Sequence, residues 1–411
     1  MNKGKLENYW SLILLIAVFT ALLFVGNYIF AQNEPGGADF LYRWLPTRLV
    51  FVEGYDNPYS DQVELEVELV HHGHAREGKE IPGMFAYPYH TMFALLPFAL
   101  IKDFVLARVV WMTTMQLAHI GMIFLSTKMI GYKPTKPILL GLILFAIFTA
   151  DFFQALIDGN PSSLAALFAI LSLFFLSRKS DAWAGVFLAL STIKPQMVIL
   201  FFVLVWVWAF SKKRLMVIYF SLVTMLFLLG ASFFLQPNWL SEFIKDITTY
   251  TGTASPSTPR AILSYWMSVH LADTIAWGLT ILSLFILAYA WTKSYGRDFP
   301  VFLWAASITF ATMHLIGITS AKSNYIAMLP GVILLLQYGT EKLKSKSFWL
   351  GILLVIWIGF SWIFFYAGRT WIVGDNLIYF LDFYPLPILL LSLYYFIRPS
   401  KNGEMFSEEN I

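Results

Sequence analysis

Trp10 to Ala31 reads WSLILLIAVFTALLFVGNYIFA, a run with no charged residue. As an α-helix it would rise about 30 Å, the thickness of a bilayer's hydrocarbon core. Lys3-Gly4-Lys5 ahead of it superficially resembles the start of a secretory signal. The run is longer than a signal's apolar region, and no small-residue cleavage site follows. It is read as a retained first transmembrane helix. The rest of the chain has the same composition: 58% of 411 residues are hydrophobic and 13% charged, too little charge to coat a soluble protein of this length. Aromatics at 18%, with 38 Phe, suit interfacial belts. The expected fold is a single all-α integral membrane domain over residues 1–411.

Lys3 and Lys5 place the N-terminus in the cytoplasm. Later apolar runs lie at about 135–150, 161–177, 182–193, 195–211, 214–234, 271–292, 300–318, 322–339, 347–367 and 381–397. The basic junctions are Lys128 with Lys133 and Lys136, Arg178-Lys179, Lys212-Lys213-Arg214, Lys293 with Arg297, Lys342 with Lys344 and Lys346, and Arg398 with Lys401. If all of them lie inside, the crossings alternate without conflict. Outside then fall a long first loop (32–84), a second (236–264), and the junctions 151–160, Lys194-Pro195, 319–324 and 368–376. Between 85 and 127 the chain must cross an odd number of times yet has two apolar runs. The first, 85–101, is therefore expected to be a half-helix or re-entrant segment buried in protein. The count comes to about 12 crossings with both termini inside, in a cell (inner) membrane and among its lipids.

Net charge is +3, spread over short loops, which argues against a nucleic-acid partner. Cysteine is absent, so disulfides, thiolate nucleophiles and cysteine metal sites are excluded. His71, His72 and His74 cluster, but no carboxylate at ligand spacing completes a metal site. No metal or other cofactor is expected. No internal repeat of the kind that builds many transporters is evident.

Polar residues with chemical potential are few. In Asp39-Phe40-Leu41-Tyr42-Arg43-Trp44 a helical reading puts Asp39, Tyr42 and Arg43 on one face. Asp39 is then either a helix N-cap or a general base at the membrane surface. Residues 53–60 form a turn cluster, and 63–70 fit a strand or an interfacial helix equally well. Asp158-Gly159-Asn160-Pro161 reads as a cap for a helix starting near Ser162. Lys194-Pro195 divides two short apolar runs, as a tight turn or as a broken helix lining a ligand pocket. Lys194, Arg260, Lys322 and Arg369 all lie on the side that normally lacks cations, either as interfacial anchors or as partners of an anion such as a lipid phosphate.

These motifs, in their order, resemble the GT-C integral-membrane glycosyltransferases, specifically glycosyltransferase family 87, which includes polyprenol-phosphate-mannose-dependent mannosyltransferases. The matching stretches are Asp39-Phe40 with Tyr42, Gly54 with Asn57-Pro58-Tyr59, Phe85-Ala86-Tyr87-Pro88, Gly159-Asn160, and Gly185 with Lys194. The resemblance implies a GT-C helical bundle and transfer of a hexose, mannose first, from a polyprenyl-phosphate donor to an extracytoplasmic lipid or glycan acceptor. It makes Asp39 the base, and Lys194, Arg260 and Lys322 candidates for holding the donor phosphate. Tyr42, Arg43, Tyr59, Tyr87, Asn160, Asn324 and Tyr325 are the implied pocket candidates. The chemistry is coherent, because a phosphate leaving group needs cations rather than a protonating acid, and direct displacement by a base-activated hydroxyl inverts the anomeric carbon. One departure stands out: where the family often has His-Tyr, this chain has Asn324-Tyr325 after Ser320, Lys322 and Ser323, with Lys322 as the available substitute. His314 reads as a core polar contact. The rival class is a carrier or flippase for a lipid-linked sugar, which would favour ionisable groups at mid-membrane and has no use for Asp39.

Overall fold

The computed structural model describes residues 3–34, 36–78, 80, 82–253, 258–317, 321–341, 347–370 and 384–399. Lys342, Lys344, Lys346, Lys401, Ser320 and residues 254–257, 318–319 and 371–376 lie outside them, as does the side chain of Arg369. Among the described residues every regular element is helical. In chain order these are α1 (Lys3–Asn33), α2 (Ala38–Phe51), α3 (Asp61–His72), α4 (Thr91–Ala99), α5 (Phe104–Ile130), α6 (Lys136–Phe148), α7 (Ala150–Asp158), α8 (Ser162–Ser177) and α9 (Asp181–Leu190). They continue as α10 (Pro195–Ser211), α11 (Leu215–Leu235), α12 (Trp239–Thr253), α13 (Pro259–Leu263), α14 (Val269–Ser294), α15 (Phe299–Thr312), α16 (Leu329–Glu341), α17 (Ser347–Thr370) and α18 (Pro385–Phe396).

Five of these are long and apolar enough to cross a membrane: α1, α5, α11, α14 and α17. Helices α6 and α7, bent by 50° at Thr149, can together make a sixth, broken span. Shorter apolar helices of 10–17 residues (α8, 181–193, α10, α15 and α18) fill the bundle between them. The long helices turn bare carbon outward: Leu226 is 67% exposed and Phe285 70%. A surface of that kind is stable only in hydrocarbon. Helix α1 lies along α5 and is tied to it by hydrogen bonds of Asn27. Asn27 Nδ2 donates to Thr113 Oγ1 (2.9 Å) and Gln116 Oε1 (2.8 Å), since an unpaired amide would be costly there.

The junctions sort into two groups separated by α5, about 40 Å long. At its C-terminal end Arg178 donates to the Lys128 carbonyl, Arg214 pairs with Asp181, and Lys212 Nζ lies 3.0 Å from Asp298 Oδ1. At its N-terminal end Arg48 donates to the Ala99 carbonyl, and Arg108 to those of Glu34 and Ile157. The described basic junctions brought into contact here thus meet at one end of the bundle.

Three local readings resolve. Residues 63–70 are helical: Ser60 Oγ caps α3 by accepting from Val63 N–H, and Gly73 ends it. Asp39 is not a cap. Gly37, at φ +82°, takes that position, and Asp39 sits inside the first turn of α2. The cap of α8 is Pro161, while Asn160 Oδ1 still accepts the Ser162 N–H at 3.0 Å. The run 85–101 contains only the nine-residue α4, about 13 Å of helix and too short to span a bilayer.

Gly185 accounts for one of the spaced glycines. A Cβ there would lie 2.4 Å from the Val217 carbonyl oxygen, so α9 and α11 pack backbone to backbone. Gly230, on the same α11, has nothing within 4 Å of its would-be Cβ. Gly185→Ala is expected to cost about 1–3 kcal/mol through overpacking, and Gly230→Ala to be neutral or slightly stabilising. Thermal unfolding of both variants in detergent checks the contrast; equal midpoints would show that the contact does not matter.

Candidate active site

The N-terminus of α2, the α7–α8 junction, the α9–α10 break and the 3-10 turn over Lys322–Met328 meet at the N-terminal end of α5. Gly159 makes the meeting possible. It closes α7 at φ +75°, and a Cβ on it would lie 2.3 Å from Phe40 Cβ. Because α2 rests directly on that backbone, Asn160 and Asp39 come within reach of each other.

Asp39 Oδ2 accepts from Asn160 Nδ2 at 2.7 Å, and Asp39 Oδ1 accepts from Arg43 Nη1 at 3.0 Å. The same Asn160 amide accepts at Oδ1 from Lys194 Nζ (2.8 Å). One amide therefore bridges an anion and a cation, which fixes its orientation. Lys194 Nζ also donates to Ser162 Oγ at 2.5 Å, and Ser162 Oγ contacts Asn324 Oδ1 (2.8 Å) and Ser323 Oγ (3.0 Å). Lys322, next in the chain, has its Nζ 3.8 Å from Asp151 Oδ1. Lys194 is 3% exposed and the Arg43 side chain 4%, whereas the Asp39 side chain is 33% exposed. The carboxylate is the accessible tip of a buried polar network.

Lys194 is the N-cap residue of α10, following a 3-10 turn over Ser191–Ile193. Two side chains at the start of α4 hold that turn: His90 Nε2 lies 3.2 Å from the Thr192 carbonyl, and Thr91 Oγ1 donates to the Ile193 carbonyl at 3.0 Å. The Lys194-Pro195 junction is a turn between antiparallel helices, since Asp181 at the start of α9 pairs with Arg214 just past the end of α10, and its lysine is buried rather than at the interface. Just upstream, the Tyr87 ring centroid lies 4.6 Å from Arg43 Cζ, a cation–π contact that steadies the guanidinium.

Other candidates are placed as follows. Tyr42 is buried with its ring edge against His71, so the shared face of Asp39, Tyr42 and Arg43 divides between network and core. Tyr59 donates its hydroxyl to the Tyr87 carbonyl (2.7 Å) and supports that residue. Tyr325 is buried, edge-on to His314 at 4.6 Å. Arg260 pairs with Asp273 and lines a separate cleft of about 490 Å³ with Thr258, Trp277, Ile316 and Gly317; it has no contact with the Asp39 network among those described. His71 meets His72 edge to face, His72 stacks on His74, His74 Nε2 lies 3.8 Å from Glu80 Oε1, and the described residues contain no group of three or more potential metal ligands.

Sequence reasoning missed Ser162, Asp151, His90 and Thr91. Ser162 directly follows Asn160-Pro161 and was legible as part of the same turn. The others are ordinary residues until the fold brings them to Lys322 and the Lys194 break.

No curated protein matches the chain, and no solved structure does. The profile of glycosyltransferase family 87 matches residues 85–318. That span takes in Tyr87, Asn160, Lys194 and Arg260, while Asp39 and Lys322 to Tyr325 join the site through their contacts. Covering more than half of an all-helical chain that carries membrane-length helices, the match identifies the chain as a member of glycosyltransferase family 87, a glycosyltransferase.

Proposed function

We propose that this transferase moves a hexose, with mannose the leading donor sugar, from a polyprenyl phosphate to an extracytoplasmic lipid or glycan acceptor, inverting the anomeric carbon. The observation that carries the proposal is the Asp39 carboxylate, one-third exposed, with each oxygen held by one donor and one amide away from a buried ammonium. Each carboxylate oxygen keeps lone-pair capacity for an acceptor hydroxyl. In the step proposed, Asp39 takes the hydroxyl proton, the acceptor oxygen bonds to C1 of the sugar, and the C1–phosphate oxygen bond breaks. The leaving polyprenyl phosphate carries its charge away, met by Lys194 and Lys322, with Arg260 lining the neighbouring cleft. Lys194 uses two of its three N–H donors on Asn160 and Ser162, leaving one for a phosphate oxygen. No step calls for a metal or another cofactor.

In this reading the N-terminal end of α5 faces the extracytoplasmic side of the cell membrane and the basic end faces the cytoplasm. About 12 crossings, short helices included, bring both termini inside. Residues 32–84 and 236–264 then cover the site from the outer surface.

Transfer is to be measured in proteoliposomes with a panel of polyprenyl-phosphate sugars. Asp39→Asn is expected to lower kcat about 10²- to 10⁴-fold, the usual contribution of a general base, while donor KM stays close to wild type. Undiminished transfer by that variant removes the base, and silence of the wild type with every donor favours a carrier. Asn160→Ala takes one charge-assisted hydrogen bond from Asp39 and one from Lys194. At about 1.5–3 kcal/mol for such a bond, kcat is expected to fall roughly 10- to 150-fold. The absence of native cysteine makes topology directly testable. A cysteine replacing exposed Asp56 should react with an impermeant maleimide on intact cells, and one replacing exposed Lys133 only after lysis; the opposite pattern inverts the topology.

A further inference from the structure

Ionisable side chains are rare inside a bilayer, and one that is buried there marks a place where the bundle needs a polar partner. His119, near the middle of α5, is 0% exposed and takes no part in the transfer step. Its ring faces the break between α6 and α7. In an unbroken helix the Ala150 N–H would go to the Ala146 carbonyl. Here that N–H donates to Ser361 Oγ of α17 at 3.0 Å, and the carbonyl it leaves is met by His119 Nδ1 at 2.7 Å. Trp362 Nε1, also of α17, donates to the Phe148 carbonyl at 2.7 Å. These backbone groups at the 50° bend have side-chain partners, as a break inside a membrane bundle requires.

The second ring nitrogen reaches another helix. His119 Nε2 lies 2.8 Å from Ser163 Oγ, in the first turn of α8. A carbonyl only accepts, so Nδ1 carries the proton, and the neutral ring accepts at Nε2 from the Ser163 hydroxyl. Ala146 stands shortly before α7 and Ser163 just after the turn that follows it. One imidazole therefore holds both roots of α7 and of Gly159-Asn160-Pro161. What lies between the roots is the site itself. Asp151, in the first turn of α7, neighbours Lys322, and Asn160 links Asp39 to Lys194. Ser162, next to Ser163, accepts from Lys194.

We infer that His119 is a positioning residue: it clamps Ala146 and Ser163 together and so fixes the α7–α8 turn that presents the Asn160 amide to Asp39 and Lys194. The inference rests on the reading of Asp39 as the base and Lys194 as the phosphate partner. The ring acts in one protonation state, as a clamp, and carries no proton to the reaction.

Double-mutant cycles on transfer test it, with kcat taken per folded protein. Ser163→Ala removes one arm of the clamp and should lower kcat about 3- to 10-fold, the worth of one buried hydrogen bond. His119→Asn keeps a donor for the Ala146 carbonyl but falls short of Ser163, and should match Ser163→Ala. His119→Phe removes both arms and should lose roughly 10- to 100-fold. Added to Asn160→Ala, none of the three should cost more than about twofold further, because the amide they position is gone. A loss as large as in wild type means that the ring only stabilises the bundle, and overturns the inference. A kcat–pH profile that changes shape in His119→Asn makes the ring a proton carrier and overturns it too. If His119→Phe does not fold, the other two variants decide. A second readout does not depend on transfer. The chain has no cysteine, so Asn160→Cys can be labelled alone. Adding Ser163→Ala or His119→Asn should speed its reaction with a small maleimide about 3- to 10-fold; an unchanged rate overturns the clamp. If Asp39→Asn stays active, or the wild type is silent with every donor, while labelling still follows residues 119 and 163, the base reading has failed and the clamp stands.

Discussion

An ammonium group cannot be sealed inside a helical bundle without partners. The desolvation cost is several kcal/mol even after relaxation, and Lys194 is 3% exposed. Its solution is an amide and a hydroxyl, from Asn160 and Ser162, and the amide's other end meets the Asp39 carboxylate. That requirement draws four separate chain junctions to one point. Helix α8 must begin beside the α9–α10 break, and α2 must enter against the Gly159 turn. The charge at Lys194 and the exposure at Asp39 are two ends of one arrangement, with the insulated end holding the accessible end in place.

Segment 82–91 makes this arrangement rigid. Its Tyr87 ring lies on Arg43, and His90 and Thr91 bind the carbonyls just before Lys194. Both charged arms of the site thus rest on the stretch that leads into α4. Irregular backbone at the edge of a membrane bundle needs internal partners for its polar groups. Here Glu68 and Tyr59 supply them, and the hydrophobic cluster of Phe85, Tyr89, Met92 and Trp239 packs around the segment. The covering helices α3 and α12 meet the site through this segment.

What could be read in advance follows from what is local. The apolar runs, the junction charges and the break at Lys194-Pro195 are properties of short windows, and they survive into the fold. The i, i+3, i+4 face of Asp39, Tyr42 and Arg43 is helical as read. Asp39 is not the cap because Gly37, in the left-handed conformation, takes that position. Residues 63–70 were ambiguous because period alone does not separate a short strand from a helix; the Ser60 cap and Gly73 stop were the informative signals. Arg260 and Lys322 were grouped with Lys194 by charge and side. Their pairing with Asp273 and Asp151 depends on helix neighbours that no window contains.

The distribution of exposure bears on how such a site can work at a bilayer surface. A base for a hydroxyl acceptor must be reachable from water or the headgroup layer, while charge that meets a phosphate acts most strongly where water is excluded. Had Asp39 been as buried as Lys194, the two would form a closed ion pair and no acceptor could approach. Had Lys194 been as exposed as Asp39, solvent would screen it. Inserting the Asn160 amide between them keeps the opposite charges linked but not in direct contact. The carboxylate stays open at its outer lone pairs, and the ammonium retains an N–H for a second anion. In the proposed reaction, a neutral residue in the middle of the network is what would let one site present a base and a cation to two different substrates.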